Sequence, residues 1–284
     1  MRSRMLFILW SPMQTETLTL FHFETLDTER LHTFKKYDSL LIQIFSSLHS
    51  QLDALQEILN TLQRELPQAH IVGATTDGEI ETKNVYTNST VIAFSSFQKT
   101  TINSASVSQH NATSNAKRLV EATVTPSSKL MITFTDGSTT NGEHYLSALS
   151  HEIPNIPISG GMAGDNATFT QTYVIHGREI IKQGAVAVTL NSEVLHVTTD
   201  YSFDWQPLGR ALEVTKAKDN RVYEIDHMPI TTLYGKYLGK EIEDALPNIG
   251  IEFPLLLSRN NLTYARAAIA KFDDGSLAFA GNIN

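Results

Sequence analysis

Two short segments carry most of the chemistry that this sequence can offer. In Thr75 to Glu79 (TTDGE), two hydroxyls, two carboxylates and a glycine fall within a few residues of each other. Thr75, Thr76, Asp77 and Glu79 supply oxygen acceptors and Gly78 frees the backbone to turn, so such a loop can hold an amine or a cation. In Ser159 to Asn166 (SGGMAGDN), Gly160, Gly161 and Gly164 permit close backbone approach, with Met162 and Ala163 between them. Successive N–H groups in such a run can form an anion-binding nest, and Asp165 and Asn166 add an acceptor and an amide. Together the loops suit a zwitterion, its carboxylate on backbone N–H groups and its ammonium on the acids. Plainer readings stand beside this one: a turn in which Asp77 bonds its own backbone, and glycines that serve tight packing. Asp136 and Gly137 make a third acidic turn, after which Asn141 is placed to cap a helix.

Other chemistries are poorly served. The 284 residues include no Cys, which removes thiolate nucleophiles, cysteine-ligated zinc and disulfide frameworks. There is no G-x-S-x-G elbow and no HExxH, so no catalytic residue is assigned and a non-enzymatic role is expected. Asp77, Glu79, Asp136 and Asp165 could hold Mg or Ca through oxygen ligands in a metal-assisted enzyme, though no local spacing demands it. His144 and His151 lie two helical turns, ~10 Å, apart, too far to share one ion. Single axial ligation of a b-type haem would fall to His144, His151 or His176. A formal charge of -8 argues against nucleic acid as the main partner. Met1 to Trp10 reads as a first strand, too short in its apolar run for a secretion signal, and no stretch approaches a membrane span. Cytoplasm is the expected compartment, with no membrane insertion.

The elements that position these loops follow from hydrophobic period. Leu40 to Phe45 suits a buried strand, Gln51 to Leu66 repeats apolar residues on one helical face, and His70 to Ala74 reads as the next strand. The order returns with a strand over Lys129 to Phe134, a helix over Glu143 to Ile153 and a strand over Ile158 to Gly161. Strands are expected next at Val91 to Phe97 and Ile102 to Val107, matched by Ala185 to Leu190 and Val194 to Thr199, with a connecting helix over Asn111 to Ala122. The expected fold is therefore mixed α/β, with internally duplicated β-α-β-β-β units over about residues 38–108 and 127–202 forming mixed sheets flanked by helices. Right-handed crossovers would put both acidic loops at carboxyl edges of parallel strands, where open α/β sheets bind ligands. A change of texture near Tyr201 to Gly209 suggests a domain of residues 1–205 followed by a partial second α/β domain over 206–284.

The motifs GATTDGEI (Gly73 to Ile80), SGGMAGDN (Ser159 to Asn166), DWQPLGRALEVTKAKDNRVYEIDHMP (Asp204 to Pro229), YLG (Tyr237 to Gly239), FPL (Phe253 to Leu255) and DGSLAFAGNI (Asp274 to Ile283) resemble the FIST sensory domain. The first two correspond to its N-terminal part and the rest to the start of its C-terminal part. The resemblance implies an input domain that binds a small molecule such as an amino acid and controls a histidine kinase, diguanylate cyclase or chemotaxis receptor. It also implies, as an alternative, a haem-based nitric oxide sensor, and it leaves room for a homodimer. In this family a glycine ends the EIDG pattern where this chain has His227, and the C-terminal part is expected to continue beyond Asn284.

Overall fold

The computed structural model describes residues 13–21, 24–48, 51–108, 111–166, 168, 170–200, 205–259 and 262–283. The strand expected over Met1 to Trp10 lies outside the described residues. The chain divides into two compact units, Met1–Thr199 and Asp200–Asn284.

In the first unit the order is β1 (Met13–Phe21), α1 (Thr28–Leu31), β2 (Leu40–Ser46), α2 (Leu52–Glu65), β3 (His70–Thr75), β4 (Glu79–Glu81), β5 (Asn84–Tyr86), β6 (Ser89–Phe97) and β7 (Thr101–Ser108). It continues with α3 (Ala112–Thr123), β8 (Ser128–Thr135), α4 (Gly142–Glu152), β9 (Ile158–Met162), β10 (Tyr173–His176), β11 (Glu179–Lys182) and β12 (Gly184–Asn191). Six strands form one sheet in the order β1-β6-β2-β3-β10-β11, and four form another in the order β7-β12-β8-β9. Only β2 with β3 and β8 with β9 run parallel within them; every other pairing is antiparallel.

Four layers result, because each central strand is apolar on both faces. Leu40, Ile42 and Ile44 of β2 pack with Leu55, Ile58, Leu59 and Leu62 of α2 on one side. Leu41 and Phe45 point the other way, into a layer shared with Phe134, Val186 and Val188 of the second sheet. Beyond that sheet, Met131, Ala185 and Ala187 meet Ala116 and Leu119 of α3 and Tyr145 and Leu149 of α4. Burying each large apolar side chain contributes roughly 1.5–3 kcal/mol, which is what holds the amphipathic helices down. Asn111 and Asn141 cap α3 and α4 by accepting from the N–H groups of Ser114 and His144.

The duplication is present but starts one strand earlier than the sequence suggests. β1-β2-α2-β3-β4-β5-β6 matches β7-β8-α4-β9-β10-β11-β12 in pairing: β6 lies between β1 and β2, and β12 lies between β7 and β8. The strand expected at Ile102 to Val107 thus opens the second repeat instead of closing the first. No strand forms over Val194 to Thr199. Both edges of β12 are already taken, and Ser192 Oγ instead accepts from the N–H groups of Val194 and Leu195 in a turn. Equivalent residues of the repeats meet at the centre, where Phe45 and Phe134 pack edge to face with centroids 5.4 Å apart.

The second unit holds β13 (Val214–Lys218), β14 (Arg221–Ile225), β15 (Met228–Pro229), α5 (Ile230–Leu238), α6 (Lys240–Ala245), β16 (Leu255–Arg259), β17 (Leu262–Arg266), β18 (Ala268–Lys271) and β19 (Leu277–Phe279). Val222, Ile225, Ile230, Leu233, Leu277 and Phe279 make its core.

Candidate functional site

β3 ends at Thr75 and β9 at Met162, so the TTDGE and SGGMAGDN loops both leave the carboxyl ends of parallel pairs. The two loops are stitched to each other. Gly164 N–H donates to the Thr75 carbonyl at 2.8 Å, and Asp165 N–H donates to Asp77 Oδ1 at 2.9 Å. Asn166 Nδ2 reaches the Ser47 carbonyl at 3.3 Å, and Thr75 Oγ1 accepts from Tyr173 N–H at 3.0 Å. A Cβ on Gly164 would come within 2.5 Å of Asp77 Oδ1, so glycine is what permits this approach. Asn166 holds its turn at a φ of 58°, a left-handed conformation that Asn tolerates.

Three of the four carboxylates are buried, and each accepts several hydrogen bonds from the protein. Asp165 Oδ2 accepts from Thr168 Oγ1 at 2.8 Å and from the N–H groups of Thr170 and Gln171 at 2.7 and 3.0 Å. Asp136 accepts from Ser138 N–H and Oγ, Thr139 N–H and Oγ1, and Thr172 Oγ1. Burial alone would raise the pKa of Asp136, but the bonds from Ser138, Thr139 and Thr172 outweigh it and hold the carboxyl below the ordinary carboxylate value. Glu79 accepts from Ser47 Oγ at 2.9 Å and from the hydroxyls of Ser89 and Thr76. Asp77 alone of the four is exposed, and on β9 Gly160, Gly161 and Met162 are exposed as well.

All the residues singled out in the loops therefore reach one edge of the unit. No sequence motif marks their hydroxyl and amide partners, Ser47, Ser89, Thr168, Thr170, Gln171 and Thr172. The pattern Asp136, Ser138, Thr139 is a readable side-chain turn. Thr172 joins only through the tertiary fold. Among the described residues, no group of three or more His, Asp or Glu side chains is arranged to hold a metal ion.

The axial-ligand candidates are placed differently. His144 and His151 are exposed on α4. His176 lies between the sheets with both ring nitrogens engaged, Nδ1 with Ser106 Oγ at 2.9 Å and Nε2 with Ser104 Oγ at 3.1 Å. Ser104 also meets His70 Nδ1 at 2.9 Å, so two imidazoles and two serines form a chain between the sheets. Burial lowers the pKa of His70, helped by His176, and burial lowers that of His176 although Glu179 pulls it up. A cavity of 960 Å³ opens beside His70, lined also by Gln14, Lys36, Tyr37, Gln98 and Lys99. It lies at the start of β2 and β3, the end opposite the acidic loops. Sequence order hid this cluster, because its members come from three strands distant in the chain. In the second unit, residues of the DWQPLG, YLG and FPL motifs converge on an 860 Å³ groove that includes Trp205, Leu208, Tyr237 and Phe253. No helix among the described residues is long and apolar enough to cross a membrane.

A family model described as the FIST N domain matches residues 40–228. An uncharacterized protein of Methanocaldococcus jannaschii is 26% identical over 213 residues, covering 70% of this chain and 40% of that relative.

Proposed function

The chain belongs to the FIST N domain family, a family of sensory domains in signal transduction, and on that premise we propose that it senses a small polar metabolite such as an amino acid at the junction of its two acidic loops. In this reading the exposed Asp77 carboxylate and Thr76 receive the ligand's ammonium group, while its carboxylate lies against the second loop. Glu79, Asp136 and Asp165 act one step back: they order the loops that present these groups.

The observation that carries the proposal is the hydrogen bond from Asp165 N–H to Asp77 Oδ1. It joins the carboxyl edges of two repeats, so a ligand that draws on Asp77 also perturbs the second loop. A ligand shifts a conformational equilibrium only by its difference in affinity for the two states, and a few kcal/mol suffices. The amino-edge cavity beside His70 is the roomier space. The loop junction is preferred because open α/β sheets bind ligands beyond the carboxyl ends of their strands. The downstream partner would be an output module such as a diguanylate cyclase, histidine kinase or chemotaxis receptor, working in the cytoplasm, and no catalytic step is assigned to this chain.

The test is a calorimetric titration of the chain with each of the common L-amino acids. At least one should bind with measurable heat, and Asp77→Asn should weaken it by about tenfold or more, the worth of one charge-assisted hydrogen bond. Silence across the set would overturn the amino-acid reading.

A further inference from the structure

Two imidazoles and two serines, all half-buried, tie the repeats together at the edge opposite the acidic loops. Ser104 Oγ lies 2.9 Å from His70 Nδ1 and 3.1 Å from His176 Nε2, and Ser106 Oγ lies 2.9 Å from His176 Nδ1. A hydroxyl has one hydrogen to give, and a neutral imidazole has one donor and one acceptor nitrogen. Ser104 uses its hydrogen between the rings only when it donates to one and accepts from the other, so the three bonds run head to tail. They run from His70 through Ser104 and His176 to Ser106, or the reverse. The remaining ring atom, His70 Nε2, has no partner among the described residues, and His70 lines the amino-edge cavity.

One added proton fits this chain without breaking a bond. On His70, both ring nitrogens carry hydrogen, Nδ1 donates to Ser104, and Ser104 donates to His176. If Nδ1 passes its hydrogen to Ser104 Oγ while Ser104 passes its own to His176 Nε2, two bonds to hydrogen break and two form. The charge is then on His176, which donates to both serines and stands opposite Glu179 in the β10–β11 register. In either form His70 Nε2 bears a hydrogen, so the cavity faces a donor. A second proton has no such place. Both rings would then be donors toward Ser104, its own hydrogen would have no ring to bond, and like charges would flank one oxygen.

The other ionisable groups around the chain are Arg178 beside Glu179 in the hairpin turn, and Lys36, Tyr37, Asp38 and Lys99 around the cavity. Val186 and Val188, opposite Ser106 and Ser104 on β12, carry no charge. Burial disfavours charge on both rings and places uptake below the ordinary value of 6.5.

We propose that His70, Ser104, His176 and Ser106 are a one-proton switch between the two repeats, in which a single proton is shared by the imidazoles through the Ser104 hydroxyl. His70 opens the strand that ends at Thr75, so the switch acts on the strand that presents the first acidic loop.

Long-range proton–nitrogen NMR of the histidine-labelled full chain, titrated from about pH 8 to 5, tests this. His70→Gln and His176→Gln chains assign the two rings. In the wild type both rings should move with one common midpoint below 6.5. A second step should follow lower by more than about one unit. Ser104→Ala should separate the two midpoints, and Ser104→Thr, which keeps the hydroxyl, should restore the common one. The wild-type titration decides by itself if a variant fails to fold. Different midpoints for the two rings in the wild type, two steps closer than about one unit, or a folded Ser104→Ala chain that keeps the common midpoint would overturn the proposal.

Discussion

Gly73 and Gly160 occupy the same position in the two repeats: Gly73 pairs with Ile44 across β2 and β3, and Gly160 pairs with Thr133 across β8 and β9. In both, an added Cβ would fall on the carbonyl oxygen of the paired residue. Gly160 also holds a φ of 141°, which residues with a side chain rarely adopt. The strands leading to the two acidic loops are thus held close to their neighbours by the same means.

Gly73→Ala and Gly160→Ala should each destabilise the first unit by about 2–3 kcal/mol, as overpacking against backbone does. Gly161→Ala, whose Cβ would meet nothing within 4 Å, should change stability by less than about 0.5 kcal/mol. Urea unfolding of the three variants compares them directly.

Asp136→Ala should cost about 3 kcal/mol or more, because it strands donors from Ser138, Thr139 and Thr172 in a buried site. Thermal unfolding of the variant measures the loss. Since Asp136 does not touch ligand in the proposed arrangement, saturating ligand should raise the melting temperature of this variant as it does that of the wild type.

The His70 and His176 pair gives a pH dependence of definite sign. Both imidazoles titrate below the ordinary value of 6.5 when folded. The unfolded chain therefore takes up protons first on acidification, so this stability is full above about 6.5 and lost as pH falls toward the folded values. Melting temperature should drop between about pH 7 and 5.5 by more in the wild type than in a His70→Gln, His176→Gln double variant.

His227 stands where the resembling family has glycine, and the backbone there still behaves as a glycine position. Asp226 and His227 have φ of 49° and 60°, making a two-residue turn between β14 and β15. His227→Gly should therefore stabilise the second unit by about 1 kcal/mol, the order of the left-handed penalty. Differential scanning calorimetry would register the gain.

Much of this fold was readable because burial imposes a period. Leu55, Ile58, Leu59 and Leu62 marked α2, and the two-faced runs LLIQIF and KLMITF marked the central strands of each sheet. Pairing partners were not readable. The Val194 to Thr199 segment has strand-forming residues but finds no free edge, and β7 belongs with β12 and α3 despite following β6 directly. At the site, the acidic loops could be found from composition, and their meeting could be anticipated from the carboxyl-edge rule. That Asp136, Asp165 and Glu79 would be buried and occupied by hydroxyls came from Thr172, Thr168 and Ser89, which lie on other segments.

A ligand sensed where the two loops join should order both of them. Amide hydrogen exchange of the full chain, with and without a saturating mixture of the twenty L-amino acids, tests it most directly. Exchange should slow in both the Thr75 to Glu79 and the Gly160 to Gln171 segments, where Thr170 and Gln171 N–H groups already hold Asp165. Protection confined to residues 36–39 and 96–102 around the amino-edge cavity, with both acidic loops unchanged, would contradict it.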